Sequence, residues 1–131
     1  MIENRTSSIY FIVLACVACL LICSCTSSDS SDIKPIKTEA DFIGFITEIN
    51  PSQDKSISGH ISVESHADKI VSRYTITIKN ETLIFRQDGD NLRKVAFTAF
   101  KTKQRVQIWF SGPVLESWPM QGTAQQVVIT D

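Results

Sequence analysis

Thiol chemistry is the first candidate, because the chain has four cysteines and all lie early: Cys16, Cys19, Cys23 and Cys25. A thiol can ligate a metal, form a disulfide, attack an electrophile or carry a lipid. Cys16-x-x-Cys19 has the spacing of half a zinc or redox site. It lies in an apolar run with no second pair, so metal ligation is not expected there. No cysteine follows Cys25. The remainder of the chain therefore has no disulfide framework, no thiolate ligand and no cysteine nucleophile.

Acylation fits the surroundings better. Ile9 to Cys23 is a run of fifteen residues without charge, preceded by Arg5 and the terminal amine, with Glu3 as a blemish. A spanning helix needs about 20 apolar residues, whereas the core of a signal peptide needs about 7–15. Thr26–Asp32 is rich in Ser and Asp without Lys or Arg, so no stop-transfer signal follows. Ile22-Cys23-Ser24-Cys25 resembles a lipobox: an aliphatic residue, a free position, a small residue and the lipid-accepting cysteine. That resemblance implies cleavage after Ser24, transfer of diacylglycerol to the Cys25 thiol, and acylation of the new amine by a fatty acid such as palmitate. Several acyl chains on one residue anchor a protein stably, where one alone is marginal. An ordinary secretory signal and an uncleaved anchor are the alternatives. Cys23 is a poorer acceptor, since Ile22 would then occupy the small-residue position. The chain is expected to be exported and held to the cell envelope: the outer membrane if Gram-negative, which Thr26 after Cys25 favours, or the outer face of the plasma membrane if Gram-positive.

Beyond the cysteines, three constellations carry polar or aromatic chemistry. The first is Gly112-Pro113-Val114-Leu115-Glu116-Ser117-Trp118-Pro119-Met120-Gln121-Gly122. Trp118 offers a flat aromatic face, Glu116 and Gln121 offer polar groups, and Pro113 and Pro119 stiffen the frame. This reads as a binding loop; the plainer alternative is that Trp118-Pro119 plugs one end of a barrel. The second is His60, Glu64 and His66. Alternation places them on one strand face, but same-face neighbours are about 6.6–7 Å apart, so the two histidines are roughly 20 Å apart and cannot share a metal. Glu64 and His66 could do so only with Asp68 or a neighbouring strand. A solvated polar face is the simpler reading.

The third is the basic set Arg93, Lys94, Lys101, Lys103 and Arg105, near Phe97, Phe100 and Trp109. Basic grooves with exposed aromatics bind single-stranded nucleic acid on some β-barrels. Here the aromatics read as core, export removes the chain from most nucleic acid, and contact with anionic lipid head groups is the better reading. Net charge agrees. The whole chain carries −1, and removal of residues 1–24 takes only Glu3 and Arg5, leaving 12 basic and 13 acidic residues. Nucleic-acid binders usually show a clear basic excess. No Gly-x-Ser-x-Gly, His-Glu-x-x-His or phosphate-binding glycine loop occurs. Neither catalysis nor a cofactor is expected.

Three segments must position these groups: a signal peptide over 1–24, the lipidated Cys25 with a flexible tether over 25–41, and a β domain over 42–131. Thr26–Asp41 is polar, contains Pro35 and lacks an apolar period, which predicts disorder and a span of roughly 20–25 Å. Period-two alternation then dominates, as strands require. Phe42–Ile49 is β-rich, and Gly44 within it marks a bulge or sharp bend. Ser58-Gly59 reads as a turn. His60–Ala67 points Ile61 and Val63 inward, and Arg73–Lys79 points Tyr74, Ile76 and Ile78 inward. Asn80-Glu81 turns into a strand over Thr82–Arg86. Asp88-Gly89-Asp90-Asn91 is a strong turn, with a short edge strand at Leu92–Ala96. Phe97–Gln104 breaks the alternation and reads as a short helical turn packing Phe97 and Phe100 inward. Arg105–Phe110 and Ala124–Thr130 are the last strands. The expected fold is all-β: a small OB-like Greek-key barrel of five to six strands with one short helix.

The segments Phe42–Ile49, Phe100–Val106 and Gly112–Pro119 together resemble a family of small bacterial lipoproteins of unknown function, of the YobA-like type. One departure stands out. Lys103 occupies the family's usual glycine position, so a positive φ there would strain a lysine. The resemblance supports the lipoprotein and barrel readings and implies no activity. The expected function is a membrane-anchored, non-catalytic binding module. It would contact membrane lipid through Cys25 and an envelope protein through Glu116, Trp118, Pro119 and Gln121. The alternative is a small-ligand or saccharide module on the barrel face.

Overall fold

A computed structural model describes residues 34–67 and 69–130. The expected signal peptide, Cys25, residues 26–33 of the expected tether, and Asp68 lie outside the described residues.

The fold is all-β. In chain order the strands are β1 (Phe42–Pro51), β2 (Ile57–Ala67), β3 (Ile70–Lys79), β4 (Leu83–Asp88), β5 (Asn91–Lys94), β6 (Arg105–Phe110) and β7 (Met120–Ile129). Phe97–Ala99 forms a single 3-10 turn before β6, where the sequence predicts a short helix. Five strands close a barrel: β3, β2, β1, β6 and β7 lie side by side, and β7 pairs back onto β3. All of these pairs are antiparallel except β3–β7, which is parallel. This is the OB-like Greek-key barrel. The β4–β5 hairpin is an addition: β4 also runs parallel to β7, further along it than β3 does.

The interior follows from the alternation. Ile61, Val63, Ile76, Ile78, Val106, Ile108, Val127 and Ile129 are fully buried and fill one core. Each buried side chain of this size is worth about 1.5–3 kcal/mol. Among the described residues, three register shifts interrupt the pairing, one of them at Ser58 in β2, and the other two reset the inside–outside parity of core positions. One skips Thr47 between Ile46 and Glu48, so that Ile46 and Ile49 both pack toward the core. The other skips Gln125, so that Ala124 and Val127 face inward while Gln126 and Val128 face out.

Three sequence expectations are corrected. Ser58-Gly59 is not a turn but lies within β2. Gly59 is small because a Cβ there would strike the Phe97 ring and lie 2.6 Å from the Asn50 carbonyl oxygen. The last strand begins at Met120 rather than Ala124, because its first half pairs with β3. The flexible tether does not reach Asp41. Ile36 and Ala40 pack with Phe85, Trp109 and Val128 in a second cluster outside the barrel. Asp41 anchors the segment at both ends of its own residue, its N–H donating to Ile108 O (2.9 Å) and its Oδ2 accepting from Phe110 N–H (2.8 Å).

Candidate functional site

The Gly112–Gly122 loop leaves β6 at Phe110 and returns as β7. Its base is tied by Ser111 N–H donating to Thr123 O (2.7 Å). Higher up, Leu115 and Gln121 exchange backbone hydrogen bonds of 2.7 and 3.1 Å. Within that clamp the Ser117 hydroxyl donates to Pro119 O (2.6 Å) and Ser117 N–H donates to Leu115 O (3.0 Å). The Trp118–Pro119 peptide is cis. Below the loop, Phe42, Tyr74 and Phe110 form a column of rings with centroids 4.2 and 5.6 Å apart. Phe110 lies over Gly122, where a Cβ would come within 2.8 Å of the ring.

Those rings fill the barrel end beneath the loop, so Trp118 is not a plug. It is 69% exposed, and Leu115 beside it is 62% exposed. Glu116 and Gln121 are exposed and Pro119 is half-buried. Gln121 sits in β7 opposite Thr75. The loop thus presents two large apolar side chains on a backbone tied by its own hydrogen bonds.

The other candidates are placed apart from it. His60 is half-buried, its Nδ1 3.2 Å from the Thr77 hydroxyl. Glu64 accepts from Arg73 Nε (2.6 Å) and Nη2, and His66 Nε2 is 3.8 Å from its other oxygen. The carboxylate is thus engaged by a guanidinium across β2 and β3. Among the described residues, no three His, Cys, Asp or Glu side chains converge on a metal-sized site. Phe97 and Phe100 meet edge to face at 5.5 Å and pack with the barrel core. Trp109 is buried under the N-terminal segment, its indole N–H donating to Thr38 O (3.0 Å). Of the three, Phe100 and Trp109 are buried and Phe97 is half-buried. Arg105 Nη1 donates to the Thr130 hydroxyl (3.3 Å), while Arg93 and Lys94 lie on the exposed edge strand β5.

Sequence reading missed two features. One is the exposure of Leu115, an apolar residue that nothing in the loop sequence marks as solvent-facing. Phe45, 48% exposed in β1, lines a groove of about 560 Å³ with Thr47, Glu64, His66, Thr102 and Lys103. Alternation with Ile46 was the available signal for Phe45.

A family model described as "Protein of unknown function (DUF3221)" matches residues 36–131. The chain belongs to this family. The DUF3221 match begins at Ile36, the first residue of the N-terminal segment that packs on the barrel. No curated protein and no solved structure matches the chain. The DUF3221 domain thus includes the docked strap over 36–41 as well as the barrel.

Proposed function

We propose that this DUF3221 chain is a lipoprotein of the YobA-like type, anchored through Cys25, whose barrel is a non-catalytic binding module for another envelope protein. The observation that carries the reading is the joint exposure of Leu115 and Trp118 on a loop clamped by the Leu115–Gln121 pair. Exposed apolar side chains cost little to desolvate, and a rigid loop loses little entropy on docking. Tryptophan is the residue type most often found to dominate such interfaces, where its removal costs about 2 kcal/mol or more. Glu116 and Gln121 would supply the polar rim.

The test is capture of partners from solubilised envelope by the full chain in detergent, beside Trp118→Ala and Leu115→Ala. A partner retained by the parent and lost by both variants supports the reading; a partner set unchanged by both would sink it. The anchor has its own test: Cys25→Ser should abolish fatty-acid labelling and leave an unprocessed precursor. A second reading, a small-ligand or saccharide site on the barrel face, is favoured by the groove beside Phe45. Its signature is ligand binding lost in Phe45→Ala and kept in Trp118→Ala.

A further inference from the structure

The loop before β6 also walls a smaller pocket, of about 370 Å³, lined by Arg86, Lys101, Thr102, Lys103 and Gln104. Three of the five are cations and none is an acid. Arg86 lies directly opposite Arg93 across β4 and β5, a like-charge pairing that a sheet disfavours. Its Nη2 donates only a long bond to Ala99 O (3.4 Å), an oxygen shared with Gln104 Nε2 at 3.4 Å. Arg86 Nε is buried and has no hydrogen-bond partner among the described residues. No carboxylate among the described residues lies within ion-pair distance of Arg86, Lys101 or Lys103.

A part-buried guanidinium without a counter-ion is unfavourable, and converging cations add to the cost. An anion in the pocket relieves both. Two of the loop amides beside the lysines are already committed, since Lys101 N–H donates to Gln104 Oε1 (2.7 Å) and Lys103 N–H to Ile46 O (2.7 Å). Recognition falls mainly to the side chains: the fork of Arg86, the two ammonium groups and the Thr102 hydroxyl. Three positive charges match a multiply charged oxygen anion better than a single carboxylate. We propose that this pocket binds a phosphate group through Arg86, Lys101 and Lys103, supplied either by free phosphate or by a lipid head group. Arg86 pairs with Ile129 and Tyr74 with Met120, so this site and the Trp118 loop adjoin opposite ends of β7 and stand independently.

The experiment is calorimetric titration of the full chain in nonionic detergent, at fixed ionic strength in chloride. Two probes are used: inorganic phosphate, and glycerophosphoglycerol as a head group without acyl chains. Saturable binding of inorganic phosphate assigns a free-phosphate site, and binding of the diester assigns a head-group site. Arg86→Gln should abolish binding, but its strand position makes folding of that variant a concern. Lys101→Gln and Lys103→Gly are at exposed positions and keep the test decisive. Each should weaken binding about threefold to tenfold, as loss of a charge-assisted contact does. For Lys103→Gly the melting temperature should rise while affinity falls, a split that general destabilisation cannot produce. Absence of binding for both probes, or affinity unchanged in both lysine variants, overturns the proposal.

Discussion

Gln126 and Ile36, ninety residues apart, exchange a pair of hydrogen bonds: Ile36 N–H donates to Gln126 Oε1 at 2.6 Å, and Gln126 Nε2 donates to Ile36 O at 3.2 Å. Gln126 is fully buried, so the side-chain amide mimics a backbone partner for a strap that belongs to no strand. Substituting Gln126→Leu keeps the volume and removes both bonds. The expected loss is about 1–3 kcal/mol, read by urea unfolding. The Ile36 amide should lose its protection from hydrogen exchange, and Trp109 fluorescence should shift to the red as Thr38 leaves its indole. Retained protection at Ile36 would show that packing alone holds the strap.

Lys103 has φ of 73°, the left-handed region that costs a side-chain-bearing residue roughly 1–2 kcal/mol. Its N–H bond to Ile46 O fixes the conformation. Lys103→Gly should therefore stabilise the fold by about 1 kcal/mol, and Lys103→Val should destabilise it. Thermal melts of the two variants check both signs. Equal melting temperatures would mean the loop relaxes without cost.

Gly59→Ala should destabilise by about 1–3 kcal/mol, the usual cost of overpacking, because its Cβ would meet both the Phe97 ring and Asn50 O. Combining it with Phe97→Leu removes the first clash and leaves the second. Partial rescue in a double-mutant cycle is the expected outcome. Full additivity would place the strain elsewhere.

Leu115→Ala and Trp118→Ala should each change folding stability by no more than about 0.5 kcal/mol, as exposed positions do. A large loss of stability in either variant would assign the side chain a packing role and withdraw it from the docking surface.

Asp54 lies in the turn between β1 and β2, where its Oδ1 accepts from Ser56 N–H and from the Ser56 hydroxyl, each at 2.8 Å. Both bonds, the backbone one foremost, hold its carboxyl below the ordinary aspartate range. A lowered folded-state pKa favours folding above the unfolded value, and that contribution fades as pH falls through the folded value. In a pH titration followed by NMR, Asp54 should titrate low, and Ser56→Ala should move it only part of the way back. A complete return would reverse the ranking of the two bonds.

The sequence by itself determined the strands built from local alternation. Ile61, Val63, Ile76 and Ile78 are buried where period two puts them, Arg105–Phe110 is a strand with the bounds read from it, and Asp88–Asn91 closes the β4–β5 hairpin. These features rest on contacts between near neighbours, which local sequence records. The resemblance to a family with glycine at position 103, rather than any local pattern, pointed to strain there, and Lys103 does take a positive φ. Tertiary structure decided what depends on distant partners. Met120–Thr123 is a strand because Tyr74–Thr77 lies beside it, and Ile36–Asp41 is ordered because Gln126, Trp109 and Phe110 receive it. Ser58-Gly59 carries the composition of a turn, but its glycine answers to the ring of Phe97. Trp118 is exposed because Phe42, Tyr74 and Phe110 already fill the barrel end below it. Exposure and pairing depend on which surfaces remain after the chain has closed on itself, and no local window contains that information.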